Sequence, residues 1–185
     1  MKRVIIAFAA VVLSIGGLYA QEKINWTDIQ TSQKQIAQPE NKGKLIFVDC
    51  FTSWCGWCKV MDSKTFADKT ITALMNHYFI SVKFDAEQKE DVNFADKTYK
   101  YVKQGRGGIN LLTVELLGNK IGYPSFVILN NDLTKKQVLT GYYPKEEFEK
   151  QIIFICEGYD KKMSYEDFSA KYDTEIRPAV MKKIQ

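Results

Sequence analysis

Short apolar runs alternating with helical patterns predict an α/β layer fold. Three observations carry this expectation. Leu45-Ile46-Phe47-Val48 follows the turn signal Asn41-Lys42-Gly43-Lys44, comparable runs occur at residues 80–84 and 126–129, and amphipathic helical patterns lie between and after them. A continuous apolar run bounded by turn residues reads as a strand buried on both faces.

Taken in order, residues 24–26 predict a first strand, with Thr27 capping a helix after it. Asp68 predicts a helix start with Ile71, Leu74, Met75 and Tyr78 on one face. Pro144 opens another helix with Phe148, Ile152, Ile155 and Tyr159 on one face. Residues 138–140 add a strand. Ser164 and Asp167 have the spacing of a capping box for a short last helix through Tyr172, and residues 177–185 are expected to form a flexible tail. Val92 and Phe94 alternate before Ala95-Asp96-Lys97, and Tyr99 and Tyr101 alternate after it, which predicts one β-hairpin. Gly105-Arg106-Gly107-Gly108 then reads as a flexible loop. No Lys-Ser or Lys-Thr pair follows it, as a phosphate-binding P-loop requires.

At the N-terminus Lys2 and Arg3 precede an apolar run at residues 4–13 and small residues up to Ala20. That pattern predicts a signal peptide cleaved near Ala20, because the run is too short to span a bilayer. The expected product is an exported, periplasmic protein whose residues 21–176 form one domain. Lys2 and Arg3 contribute two of the four net positive charges, so the mature chain lacks the basic footprint of a nucleic-acid partner.

The chemistry concentrates in Phe51-Thr52-Ser53-Trp54-Cys55-Gly56-Trp57-Cys58-Lys59-Val60. A tetrahedral zinc site needs four ligands, whereas Cys50 and Cys156 are not spaced as a second pair and His77 is the sole histidine. Covalent haem attachment needs a histidine after the second cysteine, where this chain has Lys59. A structural clip across two residues closes a tiny loop with little gain in chain entropy. A redox pair fits better: with a strand ending near Asp49 and a helix starting at Cys55 or Gly56, Cys55 lies at a helix N-terminus that favours thiolate. Cys58, one turn further on, is placed to attack a mixed disulfide made by Cys55.

The segment from Val48-Asp49-Cys50 through Trp54-Cys55-Gly56-Trp57-Cys58-Lys59 resembles the strand, active-site turn and helix of the thioredoxin superfamily. Met61-Asp62-Ser63-Lys64-Thr65-Phe66-Ala67-Asp68 and Val82-Lys83-Phe84-Asp85-Ala86-Glu87 are closer to the C-terminal domain of the periplasmic reductase DsbD and related exported proteins. The resemblance spans residues 45–87 and resumes over 122–155. It implies a thioredoxin fold, a central mixed β-sheet flanked by helices, with the hairpin and glycine loop around residues 88–110 as an insertion. It also implies that Asp49 is a buried acid managing protons near Cys58, with Lys83 beside it. The plainer alternative leaves Asp49 with local hydrogen bonds and Lys83 in water. Pro124 matches the proline that such folds hold in cis, which would leave Tyr123 as a backbone edge for a substrate strand. Trp54, Gly56 and Trp57 would form the rim that contacts a peptide; packing over Cys58 is the other role open to the tryptophans. Trp57 stands where thioredoxins place proline. Cys50 and Cys156 are expected to be inert core thiols, or else a second disulfide.

The sequence thus predicts an exported protein-disulfide oxidoreductase that exchanges a Cys55–Cys58 disulfide with protein partners, in the reductive or isomerising direction. Its partners would be protein thiols and disulfides and a redox-recycling membrane protein, and it would need no metal or organic cofactor. The alternative is a protein-binding module whose disulfide does not cycle.

Overall fold

The computed structural model describes residues 22–118 and 120–184. The predicted signal peptide and Gln21 lie outside them. A five-stranded sheet runs in the order β1-β3-β2-β8-β9. Its strands are β1 (Trp26–Thr27), β2 (Leu45–Phe51), β3 (Phe79–Asp85), β8 (Ser125–Leu129) and β9 (Lys135–Thr140). β3 pairs in parallel with both β1 and β2, whereas β2 with β8 and β8 with β9 are antiparallel. The sheet is therefore mixed. β2 and β8 are apolar along almost their whole length because helices cover both faces.

Alternation along the strands divides the core in two. Phe47, Phe126 and Ile128 point towards helices α3 (Lys69–Tyr78), α5 (Lys145–Cys156), α6 (Tyr165–Lys171) and α7 (Arg177–Ile184). Ile46, Val48, Val82 and Val127 point towards α1 (Ile29–Ile36) and α4 (Leu111–Leu117). Helix starts follow from side-chain oxygens that accept otherwise orphaned amides. Asp68 Oδ1 accepts from Thr70 N at 2.9 Å and Ser164 Oγ from Asp167 N at 3.1 Å. The first helix is capped by Asp28, whose Oδ1 accepts from Thr31 N at 2.8 Å, and not by Thr27, which lies in β1.

Three further expectations change. Residues 92–110 form two hairpins, β4 (Val92–Phe94) with β5 (Lys97–Tyr99), and β6 (Tyr101–Gln104) with β7 (Gly107–Asn110). The glycine run is thus a turn followed by a strand: Gly105 takes φ 58° in the turn, and Gly107 and Gly108 pair with Gln104 and Lys103. Helix α4 follows directly, capped by Asn110. Residues 177–184, expected as a tail, form α7, with Val180 buried against the first core cluster. The charged clamp beside it explains the order. Buried Glu149 of α5 accepts from Tyr172 Oη at 2.6 Å and pairs with Arg177 Nε at 2.5 Å.

Asn110 ties both hairpins to the sheet. It is fully buried; its amide N donates to Ala86 O at 2.8 Å, its Nδ2 to Glu90 O at 3.2 Å, and its Oδ1 accepts from Leu112 N at 3.1 Å. Asn110→Ala keeps the main-chain bond to Ala86 O but leaves Glu90 O and Leu112 N without their side-chain partner, and is expected to lower stability by about 2 kcal/mol, measured as a shift in urea midpoint. Amide exchange over residues 88–104 should accelerate together with it.

Candidate active site

β2 ends at Phe51 and the chain turns through Thr52, Ser53 and Trp54 before α2 (Gly56–Val60). Cys55 is the N-cap of this helix: its Sγ accepts from Cys58 N at 3.0 Å, and its own amide donates to Thr52 O at 3.1 Å. Cys55 and Cys58 form a disulfide and both are buried. When the pair is reduced, the amides at the helix start favour charge on the Cys55 sulfur.

Asp49 alternates onto the same sheet face as Phe47 and is 2% exposed. The β2–β3 register sets it opposite Lys83, whose Nζ donates to Asp49 Oδ2 at 2.6 Å. The same ammonium also donates to Asp62, on the widened helical turn Met61–Thr65 that continues α2. Trp26, Phe51 and Phe66 surround it, with ring centroids 4.9, 5.3 and 5.4 Å away. Asp49 Oδ1 is buried without a hydrogen-bond partner among the described residues. Burial pushes the Asp49 carboxyl up to about 6; the Lys83 charge and hydrogen bond oppose the rise, and the Asp62 charge adds to it. Lys83, Asp62, Trp26 and Phe66 line a groove of about 560 Å³ that opens the Lys83 side of this pair to solvent while Asp49 stays buried behind it.

Trp54 and Trp57 flank the cysteines and are 64% and 60% exposed, so they form a rim rather than a cover. Trp54 packs edge-on to Tyr123 with centroids 5.9 Å apart, and its Nε1 donates to Glu87 Oε1 at 3.1 Å. Trp57 lies against Tyr142 at 5.2 Å. Gly56 faces open space. The Tyr123–Pro124 bond is cis, and Pro124 O accepts from Gly141 N at 2.9 Å. Burial pushes the Tyr123 hydroxyl up to about 12.

A family profile named Thioredox_DsbH, described as a protein of unknown function, DUF255, matches residues 17–156. The chain belongs to the Thioredox_DsbH family. It is similar to the uncharacterized protein B0495.5 of Caenorhabditis elegans, 25% identical over 131 residues that cover 70% of this chain and 15% of that protein. This chain thus spans about one seventh of that relative's length. Thioredoxin AMT13 of Alternaria alternata is 38% identical over 68 residues, 35% of this chain and 55% of that protein. The solved structure of a DsbH oxidoreductase superposes with a TM-score of 0.52 at 12% identity, covering 80% of this chain and 95% of that one. The fold is therefore the thioredoxin fold, as the resemblance implied, with two hairpins added.

Within this Thioredox_DsbH domain the structure brings Cys55, Cys58, Trp54, Gly56 and Trp57 together at the start of α2, and Tyr123 and Pro124 onto the adjoining loop. Asp49 and Lys83 meet at the neighbouring strand pair. Cys50 and Cys156 are both free. They cannot pair with each other in this fold, because Cys50 lies in the second core cluster and Cys156 packs against the first, across the sheet. Sequence reasoning missed Glu87, Tyr142 and Asp62. Asp62 meets Lys83 across 21 residues of sequence, a contact that no local spacing signals.

Because folding raises the Asp49 carboxyl above its ordinary value of 3.8, the folded state holds that proton more tightly than the unfolded chain. Its contribution to stability is present below about pH 4 and is lost as pH rises to about 6, by about 3 kcal/mol in all. Asp49→Asn removes this titration. The oxidised variant should therefore gain on the parent by about 3 kcal/mol between pH 3.5 and 7.5, read from urea unfolding at the two values. An equal difference at both would refute the raised carboxyl.

Proposed function

We propose that this chain is an exported thiol–disulfide oxidoreductase in which Cys55 exchanges disulfides with protein partners. The observation that carries the proposal is the Cys55–Cys58 disulfide at the start of α2, with the Cys58 amide on the Cys55 sulfur and a buried, proton-poised Asp49 on the strand leading into it. Family membership supports it.

In the reductive direction, the Cys55 thiolate attacks one sulfur of a partner disulfide. A Cys55–partner disulfide forms and the partner's other sulfur leaves as thiolate. Asp49 takes the Cys58 proton, and the Cys58 thiolate then attacks the Cys55 sulfur. The Cys55–Cys58 bond forms, the second partner thiolate leaves, and two electrons have passed to the partner. A carboxyl near 6 suits this step, since it is mostly ionised at neutral pH and still basic enough to hold the proton briefly. Isomerisation uses the first step and its reversal at another sulfur. Lys83 positions and partly neutralises Asp49. The Trp54–Gly56–Trp57 rim and Tyr123 contact the partner chain, and a membrane redox protein returns the electrons to the pair.

Cys58→Ser is expected to trap partners as mixed disulfides through Cys55, seen on non-reducing gels and dispersed by dithiothreitol. Cys55→Ser should give none and should reduce insulin no faster than buffer. Partner capture indifferent to both substitutions would instead support a binding module with an idle disulfide.

A further inference from the structure

We propose that the hairpin β6–β7 is a docking element for an acidic, extended segment of the protein whose disulfide is exchanged. This rests on the redox reading above and names the partner chemistry that the same site selects. Residues 100–110 carry Lys100, Lys103 and Arg106 and no carboxylate. All three side chains are exposed. Lys100 reaches Asp91 only at 3.8 Å, and Lys103 and Arg106 form no ion pair among the described residues. Lys103 and Arg106 therefore stand as two exposed cations on the hairpin with no ion-pair partner among the described residues, while the carboxylate next to it, Glu87, is engaged by the Trp54 indole.

The hairpin is built as a firm platform. A Cβ on Gly108 would lie 2.3 Å from the Tyr101 ring and 2.6 Å from Val102 O, so the ring fills the space that the glycine leaves. Asn110 fastens the base. Among the described residues β6 and β7 pair as strands only with each other, and apart from the Asn110 bond to Ala86 their outer edges can form main-chain hydrogen bonds with an extended peptide.

Its position links it to the disulfide. A Cβ on Gly107 would lie 4.0 Å from Glu87 Oε1, the oxygen that accepts from Trp54 Nε1 at 3.1 Å. Trp54 immediately precedes Cys55. A strand laid along the hairpin thus runs towards the rim where exchange takes place. Cations at the entrance attract acidic segments and raise their encounter rate, an effect that salt screens.

The test uses synthetic peptides with one disulfide flanked by glutamate, serine or lysine, and the neutral 2-hydroxyethyl disulfide as a small control. Reduced protein is mixed with each and its oxidation followed. At low salt the glutamate peptide should react about tenfold faster than the serine peptide, and the lysine peptide slowest. At about 0.5 M salt the spread should collapse. Lys103→Glu with Arg106→Glu, both at exposed positions, should invert the order and leave the 2-hydroxyethyl disulfide rate unchanged. The glutamate peptide with its cysteines replaced by serine, read by fluorescence anisotropy, should bind the parent and not the double variant. Failure of all disulfides to react would remove the redox reading, while the anisotropy arm would still decide the docking surface. Equal binding of glutamate and serine peptides, or a preference untouched by the double variant, would overturn it. So would binding of anionic phosphatidylglycerol vesicles through Lys103 and Arg106 with no peptide preference, which would make the hairpin a membrane contact.

Discussion

The parallel register of β2 against β3 is the constraint from which the site follows. It sets Asp49 opposite Lys83, and because side chains alternate along a strand, it also decides that Asp49 shares a face with Phe47 while Ile46, Val48 and Cys50 take the other. A slip of one residue would send Ile46 and Val48 into the aromatic cluster and Asp49 among aliphatic neighbours. Burial on both faces forbids that slip. Apolar side chains that never touch the disulfide therefore fix where the buried carboxyl lies and where β2 releases the chain into Cys55.

The same register keeps a costly group in place without fully compensating it. Asp49 has one oxygen on Lys83 and one without a partner among the described residues, and the lysine divides its charge between Asp49 and Asp62. A lysine committed to Asp49 alone would hold the carboxyl lower and make it a poorer base. Burial, with the ammonium shared, leaves the Asp49 carboxyl raised to about 6, the property on which its proposed proton-transfer role rests. The aromatic rings around Lys83 limit where its ammonium can go, so the division is maintained by packing as well as by charge.

Much of this was legible in the sequence, wherever the signal was local. The C-x-x-C spacing, the apolar run of β2 and the capping aspartate at residue 68 each carry their structure within a few residues. Features that depend on distant contacts were not. Gly107 and Gly108 read as a loop, because nothing nearby shows that the Tyr101 ring closes over Gly108 and turns the run into a strand. Residues 177–184 read as a tail, because α7 depends on Arg177 meeting Glu149, 28 residues away in sequence. The partnership of Asp62 was hidden for the same reason, since Lys83 shows two carboxylates only once β3 is laid beside β2.

Chemistry and recognition consequently rest on different parts of the fold. The disulfide, Asp49 and Lys83 depend on the central strands, where substitution disturbs two core faces at once. The β6–β7 hairpin depends on Asn110 and on the Tyr101 ring over Gly108 and reaches the site beside Glu87, whereas β4 is held by Val92 and Phe94 in the second core cluster. The exposed charges of β6–β7 touch none of the side chains that set the β2–β3 register. Glu87 is where the two parts meet: its Oε1 accepts from the Trp54 indole and faces Gly107, so the proposed docking hairpin and the residue before Cys55 share one carboxylate.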